Sequence, residues 1–101
     1  MKTEEILKQR GFRYGEFKDL AIISQKLKDI VYEVDGVQDK VLIEAIEMIM
    51  HKIARIINGD ESYIDNWADI AGYATLAVQY LEKGKKDEKL AKQQSLPTLE
   101  D

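Results

Sequence analysis

The chain has no cysteine. That excludes a disulfide framework, a thiolate metal site and a thiol nucleophile. It has one histidine, His51, so a histidine-rich zinc site cannot be built within one copy. It has one proline, Pro97, which leaves nearly the whole length free to be helical. Its longest apolar run is four residues, Leu20 to Ile23, far short of the roughly 20 that span a bilayer. An excess of basic residues is missing too. Fifteen Lys and Arg stand against nineteen Asp and Glu, for a net charge of −4 and a pI near 5.0. That balance makes nucleic-acid binding a poor candidate. The opening Met1-Lys2-Thr3-Glu4-Glu5 is too acidic and polar for a secretory leader. Together these absences point to a cytoplasmic protein with no membrane association.

What is present is the material of one small domain. The 101 residues are 45% hydrophobic and 34% charged, an ordinary globular balance. A chain of this size buries only roughly two-thirds of its unfolded surface. Residues 1–82 read as a helical body with an acidic balance. Residues 83–101 carry Lys83, Lys85, Lys86, Lys89 and Lys92 and few apolar side chains, and they read as a frayed helix end running into a flexible tail.

Glycines divide the body into helices. A short first helix starts near Thr3, with Glu4 and Glu5 in the favourable first turn, and stops before Gly11. A turn-like segment, Phe12 to Gly15, follows. The second helix spans about Glu16 to Val34. Phe17, Leu20, Ile23, Leu27, Ile30, Val31 and Val34 lie on one side at helical spacing, and Asp35-Gly36 ends it. The third helix spans about Asp39 to Ile57. Its stripe is Leu42, Ala45, Ile46, Ile49, Met50, Ile53, Ile56 and Ile57, with Glu44, Glu47, Met48, His51 and Arg55 opposite. The fourth spans about Ser62 to Lys83, with Gly84 as its stop. Trp67, Ile70, Ala74, Ala77, Val78 and Leu81 form its core stripe. No alternating strand pattern of useful length exists. The prediction is all-α: three main helices and a short N-terminal one, in a small bundle completed by oligomerisation.

Two acidic pairs are the candidate chemistry. Glu44 and Glu47 share a face of the third helix, and Asp65 and Asp69 share a face of the fourth. The short link between those helices makes them antiparallel neighbours. Four carboxylates converging there would form the oxygen-rich site that Mg²⁺ prefers. A nucleotide's phosphates are its natural ligand, with Lys52 and Arg55 on phosphate oxygens and Tyr73 against a base. The plain alternative is that Glu44, Glu47, His51 and Arg55 form a solvated face. Asp65 and Asp69 share their side with Gly72, Tyr73, Leu76 and Tyr80, which is no ordinary solvated face. A mid-helix glycine costs about 1 kcal/mol against alanine. It is tolerated where something approaches closely, here a ligand or a second subunit. Gly72, Leu76 and Tyr80 are therefore the expected oligomer contact.

Longer motifs carry a resemblance. Residues 47–60, Glu47-Met48-Ile49-Met50-His51-Lys52-Ile53-Ala54-Arg55-Ile56-Ile57-Asn58-Gly59-Asp60, are followed by Asp65-Asn66-Trp67-Ala68-Asp69-Ile70-Ala71-Gly72-Tyr73-Ala74 and preceded by Arg13-Tyr14-Gly15-Glu16-Phe17. This set resembles a family of small phage and prophage proteins of uncharacterised function over roughly residues 10–82. A second resemblance is to the all-α NTP pyrophosphatases of the MazG and dimeric dUTPase group. It implies bound Mg²⁺ and a nucleoside triphosphate in an oligomeric bundle. Glu44 and Glu47 match the second and third acids of that pattern, and Asp69 its final aspartate. Ile43 stands at the first acid and Asn66 at the glutamate, with Asp65 one residue earlier. Two of the five acids are thus absent. The resemblances imply a phage accessory protein that binds a host protein or a nucleotide, with Mg²⁺-dependent nucleoside triphosphate pyrophosphohydrolysis as the alternative.

Overall fold

A computed structural model describes residues 2–95. Four helices follow in order and no strand occurs among the described residues: α1 (Lys2–Tyr14), α2 (Phe17–Val34), α3 (Lys40–Asn58) and α4 (Ile64–Ser95). The fold is a small all-α helical bundle. No helix among the described residues is long and apolar enough to cross a membrane.

The ends of α1 and α2 use one device. Gly15 has a φ of 79° and returns its N–H to Gly11 O at 2.8 Å. Asp35 has a φ of 53° and bonds Val31 O at 3.1 Å. Both are left-handed C-terminal caps that satisfy an otherwise unpaired helix carbonyl. Asp39 caps the start of α3: its Oδ1 accepts from Val41 N at 2.8 Å and Leu42 N at 3.3 Å.

Two helix ends differ from expectation. α1 continues through Gly11 to Tyr14, so the turn is confined to Gly15 and Glu16. α4 does not stop at Gly84 but continues to Ser95. Lone glycines cost about 1 kcal/mol in a helix, and the Lys, Glu, Ala and Leu around Gly84 are strong helix formers. The segment Leu96 to Leu99 lies outside the described residues.

α3 is the middle of the molecule. α2 and α4 both pack against it, and their backbones do not approach each other. α1 lies across the ends of α2 and α3. The arrangement is open, with a radius of gyration of 19.8 Å, where a compact chain of this length has about 13 Å. Among the described residues few are buried: Leu20, Ser24, Ala54 and Asn66.

This open arrangement corrects two assigned faces. The side of α3 carrying Glu47, Met48, His51 and Arg55 is half-buried rather than solvated, because α2 and Tyr14 cover it. α4 is rotated from the expected orientation. Its inward residues are Tyr63, Asn66, Ile70, Tyr73 and Ala77. Trp67, Val78 and Leu81, expected in the core, are 54%, 52% and 46% exposed. Polar contacts set this rotation. Tyr63 lies beside Tyr14, Lys52 Nζ pairs with Asp69 at 3.0 Å, and Tyr80 Oη donates to Asp39 Oδ2 at 2.7 Å. α4 is apolar on more than one side, so hydrophobicity alone does not choose between them.

Candidate functional site

The turn after α1 and the turn after α3 are bolted together. Asp60 N donates to Arg13 O at 2.7 Å, and Asn58 Nδ2 donates to Tyr14 O at 2.9 Å and Glu16 O at 3.1 Å. Arg13 reaches Asp60 Oδ2 at 3.1 Å and lies 4.4 Å over the Tyr63 ring. Both glycines are required by closeness. A methyl group on Gly15 would overlap the carbonyl and side chain of Asn58, and one on Gly59 would overlap the Arg13 carbonyl group. The Arg13-Tyr14-Gly15 and Asn58-Gly59-Asp60 motifs are therefore two halves of one clasp.

Beside the clasp runs a groove of about 490 Å³ between α1, α2 and α3. Its apolar walls include Leu7, Tyr14, Phe17 and Leu20. Its charged rim is Arg10, Lys18 and Arg55 against the single acid Glu16, with His51 also lining it. Arg55 sits with its guanidinium 4.2 Å from the Tyr14 ring centre. Its Nε is buried and makes no hydrogen bond. His51 lies 3.4 Å from Ser24 Oγ. Burial holds the imidazole below its ordinary 6.5, and the positive charges of Arg55, Lys28 and Lys52 push the same way. The groove therefore presents positive charge around an apolar wall, the complement of an anion with a ring or chain attached.

The expected carboxylate site is spread over several places. Glu47 accepts from Tyr32 Oη at 2.9 Å, facing α2. Glu44 is exposed nearby; the Glu47 hydrogen bond and then the charges of both acids raise the Tyr32 phenol. Asp65 accepts from Tyr63 Oη at 2.8 Å. Asp69 is paired with Lys52, whose side chain is 11% exposed. Among the described residues no three acids or histidines come together as metal donors.

The remaining assignments divide similarly. Arg55 lines the groove, but Lys52 is committed to Asp69. Tyr73 faces inward beside Gly72 and Leu76, along a shallow hollow of 540 Å³ on α4. Gly72 has open space where a Cβ would stand, and Leu76 is 59% exposed. Tyr80 is held by Asp39. Arg10 and Lys18 were not singled out from sequence. They lie near the Tyr14-Gly15 turn, which reverses the chain and brings both to one groove.

The family described as a domain of unknown function, DUF6378, matches residues 2–81. No curated protein and no solved structure matches the chain.

Proposed function

Starting from a chain that belongs to the DUF6378 family, we propose that it is a binding protein for a phosphate-bearing small molecule of the nucleotide class. The groove between α1, α2 and α3 is its seat. The observation that carries this reading is the gathering of Arg10, Lys18 and Arg55 along one groove, set against Tyr14, Phe17 and Leu20. Guanidinium groups suit phosphate oxygens, and the apolar wall suits a base or ribose face. The motif resemblance supports a phage setting, in which such a protein would sequester a host nucleotide or dock on a host factor.

Pyrophosphohydrolysis is a second reading, favoured by the Glu44 and Glu47 pair beside Tyr32. The donors of a single chain do not fit Mg²⁺, since Asp65 and Asp69 lie apart from that pair in other contacts.

The test is titration with nucleoside mono-, di- and triphosphates, ribo and deoxy, with and without Mg²⁺, followed by backbone NMR shifts. The expected result is saturable shifts at Arg10, Gly15, Lys18 and Arg55. Arg10→Gln should weaken binding about tenfold or more, the loss of one charged hydrogen bond. No saturable shift at millimolar ligand overturns the reading. Pyrophosphate released in the same tubes would establish the second.

A further inference from the structure

α4 carries an apolar seam that stays exposed in the described chain. Ile64, Trp67, Ala71, Ala74, Val78 and Leu81 follow one another at alternating steps of three and four residues. That is the a/d repeat of a coiled-coil seam. All six are exposed; Ile64 is 76% exposed and Trp67 54%. The seam is separate from the face that meets α3, which consists of Asn66, Ile70, Tyr73 and Ala77.

The seam reads alike from both ends: two large residues, two alanines, two large residues. Laid antiparallel on a second copy, Ile64 meets Leu81, Trp67 meets Val78, and Ala71 meets Ala74. Each layer then joins an a position to a d position, and the alanines let the helices approach at the centre. Charge selects the same orientation. The acids near the start of α4 are Asp60, Glu61, Asp65 and Asp69; Arg13 and Lys52 pair two of them, leaving Glu61 and Asp65 without a basic partner. Beyond Leu81 the helix has a net positive charge, with Lys83, Lys85, Lys86 and Lys89 among its residues. Antiparallel pairing sets the acidic end against this lysine-rich end, whereas parallel pairing stacks like on like. We propose that the chain forms an antiparallel homodimer through this α4 seam. Such an interface is isologous, with the same patch contributed by both copies and a two-fold axis between Gly72 and Tyr73.

Sedimentation equilibrium of the full chain tests this. The expected mass at tens of micromolar is twice the chain's 11.6 kDa. Val78→Glu places a charge in the seam and should raise the dissociation constant by about a hundredfold or more. Its circular dichroism should be unchanged, because Val78 is already exposed within one copy. Lys85→Glu with Lys86→Glu should weaken the dimer several-fold, with a loss that shrinks in high salt. A monomeric wild type at these concentrations overturns the proposal. A dimer insensitive to Val78→Glu overturns it as well and moves the interface to another face.

Discussion

The clasp and the α4 seam are opposite solutions to the same shortage of core. At the clasp, two turns approach so closely that neither Gly15 nor Gly59 has room for a methyl group, and five polar contacts hold them. Along the seam, six apolar residues stay exposed, and the one side-chain hydrogen bond among them is local, from Trp67 Nε1 to Glu61 O at 2.9 Å. The clasp shows where a small protein invests geometry, in fixing how its helices are rotated. The seam shows what that rotation leaves over, an exposed apolar face, the one proposed above to pair with a second copy. Substitutions at the clasp should therefore act within one copy, and substitutions at the seam between copies.

The largest effect is expected at the clasp glycines. Gly59→Ala and Gly15→Ala should each cost about 3 kcal/mol or more, through overlap with backbone that cannot move aside. Thermal melts should show this loss equally at every protein concentration. Asn58→Ala comes next. It strips the donor from the carbonyls of Tyr14 and Glu16, and should cost about 1–3 kcal/mol. If its melting temperature falls only on dilution, the separation between clasp and seam fails.

The seam variant Trp67→Ala should leave the monomer's helical content intact. It should lower the melting temperature at dimer-forming concentrations and make melting less dependent on concentration, since less apolar area is buried per pair and less of the chain is paired.

A smaller effect follows from His51. Its folded pKa is depressed below 6.5. As pH falls through 6.5, the unfolded chain takes up the proton before the folded one. Stability is therefore full above that pH and falls as pH drops toward the folded value. Melts from pH 7.5 to pH 5 should show the decline, and His51→Gln should flatten it. The lowered Asp39 carboxyl, held down first by the Tyr80 hydroxyl, acts in a different window, at and below its ordinary 3.8.

Helix number and order were legible in the sequence because glycine and left-handed caps punctuate it. Gly15, Asp35 and Gly59 mark real boundaries, whereas Gly11 and Gly84 lie inside helices. The difference is not local. Gly15 and Gly59 face each other's turns, while a methyl on Gly11 or Gly84 would meet nothing. The rotation of α4 was illegible for a related reason. Trp67 and Leu81 are as apolar as Ile70 and Ala77, and only the contacts of Tyr63, Asp69 and Tyr80 with distant residues choose between the faces. Of the candidate carboxylates, Glu44 and Glu47 lie in α3 and Asp65 and Asp69 in α4. Their partners, Tyr32, Tyr63 and Lys52, decide where each one points. The groove joins Arg10 to Arg55 across 45 positions of sequence, a juxtaposition no local pattern carries.

The orientation of the paired α4 helices tests the account most directly, and the absence of native cysteine gives a clean background. Ile64→Cys and Leu81→Cys chains, mixed and oxidised, should yield the mixed 64–81 disulfide. They should not yield the 64–64 one, whose cysteines would sit about 25 Å apart in the antiparallel pair. Disulfides formed only between identical positions, or none at all, would contradict it.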